Sequence, residues 1–236
     1  MAFGDIVQSK SASVNSLLSV TVTPDSPITD GNLVVCGYMT TNTTVTIGFT
    51  GSGFTVNRVD RTTLILSQIY YKVASSEPSS YTWDIGEGTL DQAAIFVEIE
   101  GPFDDADLVD IFDDTSGQGT TTILFDQVIT TVADTVIVAL ALVNQNSNSL
   151  GTWTGGFTEV VETTPDSAIF TNAAIAIQVA TATGTFDTQA TAGVSCAFVS
   201  HLYAFSKGEA AAPEQLIGQS VHYDFPNHTL VIESGA

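Results

Sequence analysis

Basic residues are the scarcest class of side chain in this sequence. The 236 residues include only five Lys and Arg against 26 Asp and Glu, which gives a formal net charge of −21 at pH 7. Contacts to nucleic acid phosphates, or to an anionic membrane surface, need clustered Lys and Arg. The composition therefore predicts neither a nucleic acid partner nor a membrane partner.

Long apolar runs and paired cysteine motifs are missing as well. The longest apolar run, Val136 to Val143, has the length of a strand and is far shorter than the ~18 residues that suggest a membrane span. The first ten residues lack the basic and apolar regions of a secretory signal, so none is expected. Cys36 and Cys196 both lie in apolar segments, which favours two buried free thiols, with one disulfide between neighbouring strands as the alternative.

What the chain does contain is the pattern of β-strands. There are 33 threonines and 21 serines, and the hydrophobic fraction of 44% is sufficient for a core. Apolar and polar residues alternate in several segments, and Gly, Pro, Asn and Asp separate these segments. Strands are predicted near residues 17–23, 32–39, 43–49, 54–59, 63–74, 93–101, 120–129, 135–143, 156–162, 168–181 and 194–205.

Similar blocks recur in the two halves of the chain. The segment from Asp30 to Met39 resembles that from Asp134 to Val143, and three further blocks repeat in order, at an offset of about 103 to 106 positions. This pattern predicts an all-β protein, an antiparallel β-sandwich of jelly-roll type with two pseudo-repeated halves. The sandwich domain is expected to comprise residues 1–206, with one face of each sheet buried.

Residues 207–236 are expected to form a linker and an arm. The segment 206–213 reads as a linker, 214–221 as a helical turn and 228–233 as a short strand. Two placements of the arm remain open at this point. It either docks on a neighbouring subunit or folds back onto its own domain.

Three segments resemble a pattern found in β-sandwich structural proteins of tailed phages and archaeal viruses. They are Asp30 to Val35, Gly53 to Thr55, and Tyr70 to Trp83. A similar pattern recurs in the second half, from Trp153 to Phe205. The most specific part is Tyr-Tyr-Lys-Val-Ala, followed by Glu-Pro and then Tyr-Thr-Trp. The resemblance covers most of residues 1–206, and the pattern also occurs in bacterial surface proteins.

The resemblance implies a virion component such as a capsid decoration protein, a turret or a tail accessory protein. It carries no catalytic residues, so the protein is expected not to be an enzyme. Its expected partners are further copies of itself in a homo-oligomer and other virion proteins. The alternative is a host-surface or carbohydrate-binding module with a glycan partner.

The densest acidic segment is a candidate calcium site. Asp104, Asp105 and Asp107 begin a run of aspartates that is expected to form a connecting loop, and carboxylate oxygens are the ligands that calcium prefers. The segment does not match the EF-hand pattern. The other interpretation is a solvated acidic loop without a cofactor.

Other residues with enzyme-like chemistry have simpler interpretations. Glu98 and Glu100 are predicted to share one face of a strand, as in some jelly-roll glycoside hydrolases, but two solvated carboxylates are the simpler interpretation. His201 lies in an apolar strand and is expected to be a hydrogen-bonded core residue. His222 and His228 flank an aspartate in a pattern that could suit zinc, but nothing in the sequence fixes that segment.

The shortage of Lys and Arg also indicates the salt concentration in which the protein works. The acid content is ordinary, so the net charge arises because Lys and Arg are missing. A surface of unpaired carboxylates suits molar salt, where the Debye length is only about 3 Å. Together with the virion role that the resemblance implies, this predicts a virus of a halophilic host, and an acidic phage protein of an ordinary host is the alternative.

Overall fold

The described part of this computed structural model consists of β-strands and the turns between them. It comprises residues 1–61, 65–103, 105–144, 149–163, 170–208, 219–224 and 229–234. The strands are β1 (Ile6–Leu17), β2 (Ser19–Val22), β3 (Leu33–Thr40), β4 (Gly48–Phe49), β5 (Thr55–Arg61), β6 (Ile65–Val73), β7 (Tyr81–Asp84), β8 (Leu90–Ile99), β9 (Val109–Leu124), β10 (Val128–Ile129), β11 (Thr135–Asn144), β12 (Leu150–Gly151), β13 (Thr158–Glu162), β14 (Asn172–Ala180), β15 (Thr185–Phe186), β16 (Gln189–Ser206), β17 (Gln219–Asp224) and β18 (Thr229–Ser234).

The all-β prediction is confirmed. Within the described ranges no helix occurs that is long and apolar enough to cross a membrane. The pairings between strands are antiparallel, and the ladders use backbone groups that would otherwise be unsatisfied in the interior.

Two large sheets dominate the fold. The first has the strand order β1-β8-β3-β6-β5, and the second has the order β12-β16-β11-β14-β13, with β9 also paired to β16. The first sheet comes from the first half of the chain and the second from the second half. Smaller sheets, β2-β7-β4 and β10-β15, accompany each half.

The two large sheets pack face to face, and this explains why their central strands are buried on both faces. Alternate residues of β3, such as Leu33 and Val35, contact Val136 and Val138 of β11 in the core between the sheets. The residues between them point the other way, into a second core with β2 and β7. A third core lies on the outer face of the second sheet. The expectation that only one face of each sheet would be buried is therefore wrong.

The strand predictions need correction at three places. Of the strand predicted at 43–49, only β4 (Gly48–Phe49) is present, and residues 43–47 lie outside strands. The sequence pattern missed most of β1, a polar, serine-rich edge strand that pairs with β8 from Ile6 onward. It also treated the acidic segment through Asp114 as a loop, whereas β9 begins at Val109 and pairs with β16. In β1 and β9, tertiary pairing outweighs a weak apolar alternation.

The C-terminal predictions are tested only in part. Residues 209–218 lie outside the described residues, and with them most of the predicted linker and helical turn. Residues 219–221 belong to strand β17 rather than to a helical turn, and the predicted strand at 228–233 is confirmed as β18. The division into domains 1–206 and 207–236 stays a prediction.

Candidate functional site

A serine, a histidine and an aspartate form one hydrogen-bonded chain between the two large sheets. Ser67 belongs to β6, His201 to β16 and Asp114 to β9. The Nε2 atom of His201 lies 2.5 Å from Ser67 Oγ, and Nδ1 lies 2.5 Å from Asp114 Oδ1. A carboxylate oxygen accepts here, so Nδ1 donates to Asp114, and Nε2 shares the second hydrogen bond with the Ser67 hydroxyl.

Asn57 and Tyr203 extend this chain to a fourth strand. The amide nitrogen of Asn57 in β5 donates to Asp114 Oδ2 at 2.5 Å and to the hydroxyl oxygen of Tyr203 at 2.7 Å. The five residues, Ser67, His201, Asp114, Asn57 and Tyr203, are called the polar cluster below. It ties β5 and β6 of the first sheet to β9 and β16 of the second.

The order of hydrogen bonds in the polar cluster is that of a serine hydrolase triad. Burial is what distinguishes it from an active site. Ser67 and His201 are 0% exposed, and the Asp114 side chain is 14% exposed. A substrate cannot reach Ser67 in this arrangement. The cluster is therefore suited to holding the two sheets in register rather than to chemistry on a ligand.

Sequence reasoning found one member of the polar cluster and missed the others. The interpretation of His201 as a hydrogen-bonded core residue is confirmed. Nothing in the sequence separates Ser67 from the other 20 serines, because its partner lies 134 positions away. Only the packing of β6 on β16 brings the pair together.

Glu98 is buried, so its interpretation as a solvated carboxylate is wrong. Its side chain is 0% exposed and accepts hydrogen bonds from Gln8 Nε2, Asn32 Nδ2 and the Thr29 amide at 2.6, 2.7 and 2.9 Å. Three donors compensate for the loss of water around this carboxylate. Glu100 follows the end of β8 and is half-buried, so the two glutamates do not form an exposed pair.

The predicted calcium site is described only in part. Asp105 and Asp107 are exposed in a bend before β9, and Asp104 lies outside the described residues. Among the residues that are described, no group of three or more His, Cys, Asp and Glu is placed to hold a metal ion. His228 and the side chain of His222 lie outside the described part of the structure. The calcium site at Asp104, Asp105 and Asp107 stays a prediction.

Calorimetry with calcium tests this site. The wild-type protein is expected to release binding heat on titration with calcium, because three carboxylates in one segment supply hard oxygen ligands. The variant Asp104→Asn/Asp105→Asn/Asp107→Asn is expected to lose that heat. A matched control is Asp187→Asn in a turn of the second half. Equal heats from the wild type and the triple variant would rule out the site.

Both cysteines are free and buried, as the apolar context of each predicted. Cys36 belongs to the core between β3 and β7, and Cys196 to the core on the outer face of the second sheet. Two sheets separate the thiols, so the alternative of a disulfide is excluded. Burial raises the pKa of Cys196 to about 11, and that of Cys36 is raised as well, first by burial.

Five of the six tyrosines are expected to ionise only when the protein unfolds. Burial raises the pKa of Tyr38, Tyr70, Tyr71, Tyr81 and Tyr203 above the ordinary value. Because the folded pKa exceeds the unfolded value of about 10, the stabilisation is complete below that pH and is lost above it. Absorbance of tyrosinate is expected to rise in one step together with loss of the β-sheet circular dichroism.

The unfolded protein in guanidinium provides the control for this titration, since its tyrosines should ionise near pH 10. Formation of more than one tyrosinate before the β-sheet signal falls would contradict the burial of these side chains.

Two open grooves lie on the surface of the described residues, away from the polar cluster. One, of about 900 Å³, lies between the turns at 42–48 and 84–88 and is lined by polar residues that include Asn42, Asp84 and Glu87. The other, of about 630 Å³, lies beside β1, β13 and β14.

Comparison with known proteins identifies no relative. No protein family model, no curated protein sequence and no solved structure matches the chain.

Proposed function

We propose that this chain is a structural protein of a virus particle, built from two jelly-roll halves that arose by duplication. The observation that carries the proposal is the strand order. A jelly roll pairs its first strand with its last and alternates strands between two sheets. The first half has β1-β8-β3-β6 in one sheet and β2-β7-β4 in the other.

The second half follows the same plan. Its large sheet contains β9-β16-β11-β14, and β10 pairs with β15 beside it. Strands β5 and β13 occupy the same position in both halves, next to β6 and β14. One departure is β12, which pairs with β16. The order of the repeated sequence blocks supports the same correspondence between strands.

The contacts between the sheets have the symmetry expected of two equivalent halves. Strand β3 lies against β11, β8 against β14, β6 against β16, β1 against β13 and β5 against β9. Exchanging the halves leaves the central pair β3–β11 unchanged and converts each of the other pairs into another pair of the set. Such an arrangement is that of an isologous interface between two copies of one domain. A fused pair of jelly rolls is therefore the simplest origin for this fold.

The polar cluster occurs on only one side of this pseudo-symmetric interface. A Cβ on Gly37 of β3 would lie 2.7 Å from Leu140 of β11, so these residues face each other at the centre. Gly37 pairs with Ile95, and Leu140 pairs with His201. Ile95 therefore corresponds to His201. Ser11 pairs with Ile95 and Asp114 pairs with His201, so Ser11 corresponds to Asp114. Comparing the paired positions of β6 and β14 in the same way makes Ala173 the counterpart of Ser67.

Jelly rolls form the shells of many viruses and also occur in lectins. The surface chemistry favours an exterior protein in high salt. All three lysines are engaged in ion pairs, with Asp25, Glu77 and Asp134. Five bases against 26 acids leave an excess of 21 negative charges. Such a surface stays hydrated and soluble when molar salt screens its self-repulsion.

Electron cryomicroscopy of purified virus particles tests the proposal. The chain is expected to be detected by mass spectrometry in the particles and to be traceable in the map on the capsid or the tail. Its presence only outside particles, at any stage of infection, would overturn the proposal.

The alternative of a glycan-binding surface module has one supporting observation. The groove of about 900 Å³ is lined by hydrogen-bonding side chains and by glycines that leave room for a ligand. Binding on a glycan array that disappears in an Asn42→Ala/Glu87→Ala variant would favour this alternative. The glycoside hydrolase reading has less support, because Glu98 is buried beneath its amide donors.

A further inference from the structure

The groove beside β1 and β13 has the features of a docking surface. It lies where the edge strands of the two large sheets run side by side. Apolar side chains line it, contributed by Ile6, Val160, Ile177 and Val179. Val179 is 42% exposed. Covering these side chains would remove apolar surface from water.

The main body of the chain ends beside this groove. The amide of Gly208 donates to the carbonyl oxygen of Pro102 at 3.0 Å, and Lys207 Nζ lies 5.3 Å from the ring centroid of Phe3. Gly4, the residue after Phe3, packs directly on the groove residue Val179, because a Cβ on Gly4 would lie 2.6 Å from Val179 Cγ2. The C-terminal segment therefore departs from a point next to the groove.

That segment carries a hairpin suited to an apolar surface. Strands β17 and β18 form a two-stranded sheet of their own. Their register pairs Val221 with Ile232 and Tyr223 with Leu230, so apolar residue types occupy four positions of one ladder face. An isolated two-stranded hairpin is marginally stable in water. Its folding is favoured when a partner surface covers that face.

The length of the connection favours a neighbouring molecule. The chain from Gly208 to Gln219 can span up to about 40 Å when extended. Returning to a groove adjacent to Gly208 requires far less, since connections within a domain have a median of about 4 to 6 residues.

We propose that the C-terminal hairpin of one copy of this chain covers the groove between β1 and β13 of a second copy. This inference rests on the proposed function in particle assembly, and it specifies the contact that joins two copies of the chain. The apolar ladder face of the hairpin lies on Ile177 and Val179. The homo-oligomer is thus held by exchanged arms.

Full-length variants test this contact by light scattering after size-exclusion chromatography in molar salt. The wild type is expected to be oligomeric. Val179→Asp in the groove and Leu230→Asp in the hairpin are each expected to weaken association at least about tenfold, because each places a charge in an apolar contact. Val194→Asp, at a comparably exposed valine of β16, is the matched control and should leave the oligomer unchanged.

Mixing the two defective variants distinguishes exchange from folding back. Val179→Asp retains an intact hairpin and Leu230→Asp an intact groove, so the mixture is expected to form a heterodimer. Circular dichroism verifies that each variant is folded, and Val179→Ser replaces Val179→Asp if it is not. A monomeric wild type, an unaffected Val179→Asp or a mixture without heterodimer would overturn the inference. Detection of the chain in virus particles is independent of these outcomes, so the proposed function is tested separately.

Discussion

Replacing His201 by alanine is expected to lower the free energy of unfolding by about 3 to 5 kcal/mol. The substitution leaves the Ser67 hydroxyl and the Asp114 carboxylate without their partner between two sheets, and it opens a cavity. For a protein of this size, the loss corresponds to a melting temperature lower by about 6 to 20 °C. Urea unfolding followed by circular dichroism measures it.

Asp105→Ala is the control for the loss of a carboxylate. Because Asp105 is exposed, its substitution should change the free energy of unfolding by less than about 0.5 kcal/mol. Comparison of Asp114→Ala, His201→Ala and the double variant gives the coupling energy of the pair. Strict additivity of the two single losses would contradict a direct interaction in the polar cluster.

Joint replacement of three members of the polar cluster, Ser67, His201 and Asp114, is expected to be nearly neutral. The variant Ser67→Ala/Asp114→Ser/His201→Ile introduces the residue types at the positions that the proposed duplication pairs with these three, Ala173, Ser11 and Ile95. Well-packed apolar groups often substitute for a buried polar group at little cost. Stability within about 1 kcal/mol of the wild type would support the duplication, whereas a loss as large as that of His201→Ala would contradict it.

Dilution from molar to millimolar salt is expected to lower the melting temperature by about 10 °C. Two like charges 10 Å apart in water repel by about 0.4 kcal/mol, so about ten such pairs contribute about 4 kcal/mol. The Debye length grows from about 3 Å at 1 M to about 30 Å at 0.01 M, so this repulsion is screened only at high salt. For a protein of this size, each kcal/mol of stability lost lowers the melting temperature by about 2 to 4 °C, so the expected decrease is about 8 to 16 °C.

Sucrose at the same osmolality provides the control, since it favours the compact state by exclusion and does not screen charges. A melting temperature that is the same at both salt concentrations would argue against the halophilic setting. Recovery of the melting temperature by sucrose alone would assign the effect to exclusion rather than to charge.

The central strands could be predicted from the sequence, because nearly complete burial requires a continuous run of apolar residues. The apolar runs around Val35 and Val138 lie in β3 and β11, where both faces contact a core. The edge strands were less readable. In β1, polar residues such as Lys10 face solvent or the neighbouring sheet, so the alternation of apolar residues is weak. Their pairing is set by the neighbouring strand.

The sequence alone determines the chemical class of this protein. Its composition establishes an acidic chain with almost no bases, and its periodicity establishes an all-β fold. The tertiary structure decides which side chains act together. Ser67, Asp114 and His201 are far apart in the chain, and Glu98 looks like any strand-end carboxylate until burial and its three donors are seen. The physical reason is that periodicity encodes which face of a strand is buried, whereas the partner across a sheet interface depends on how the two sheets are stacked.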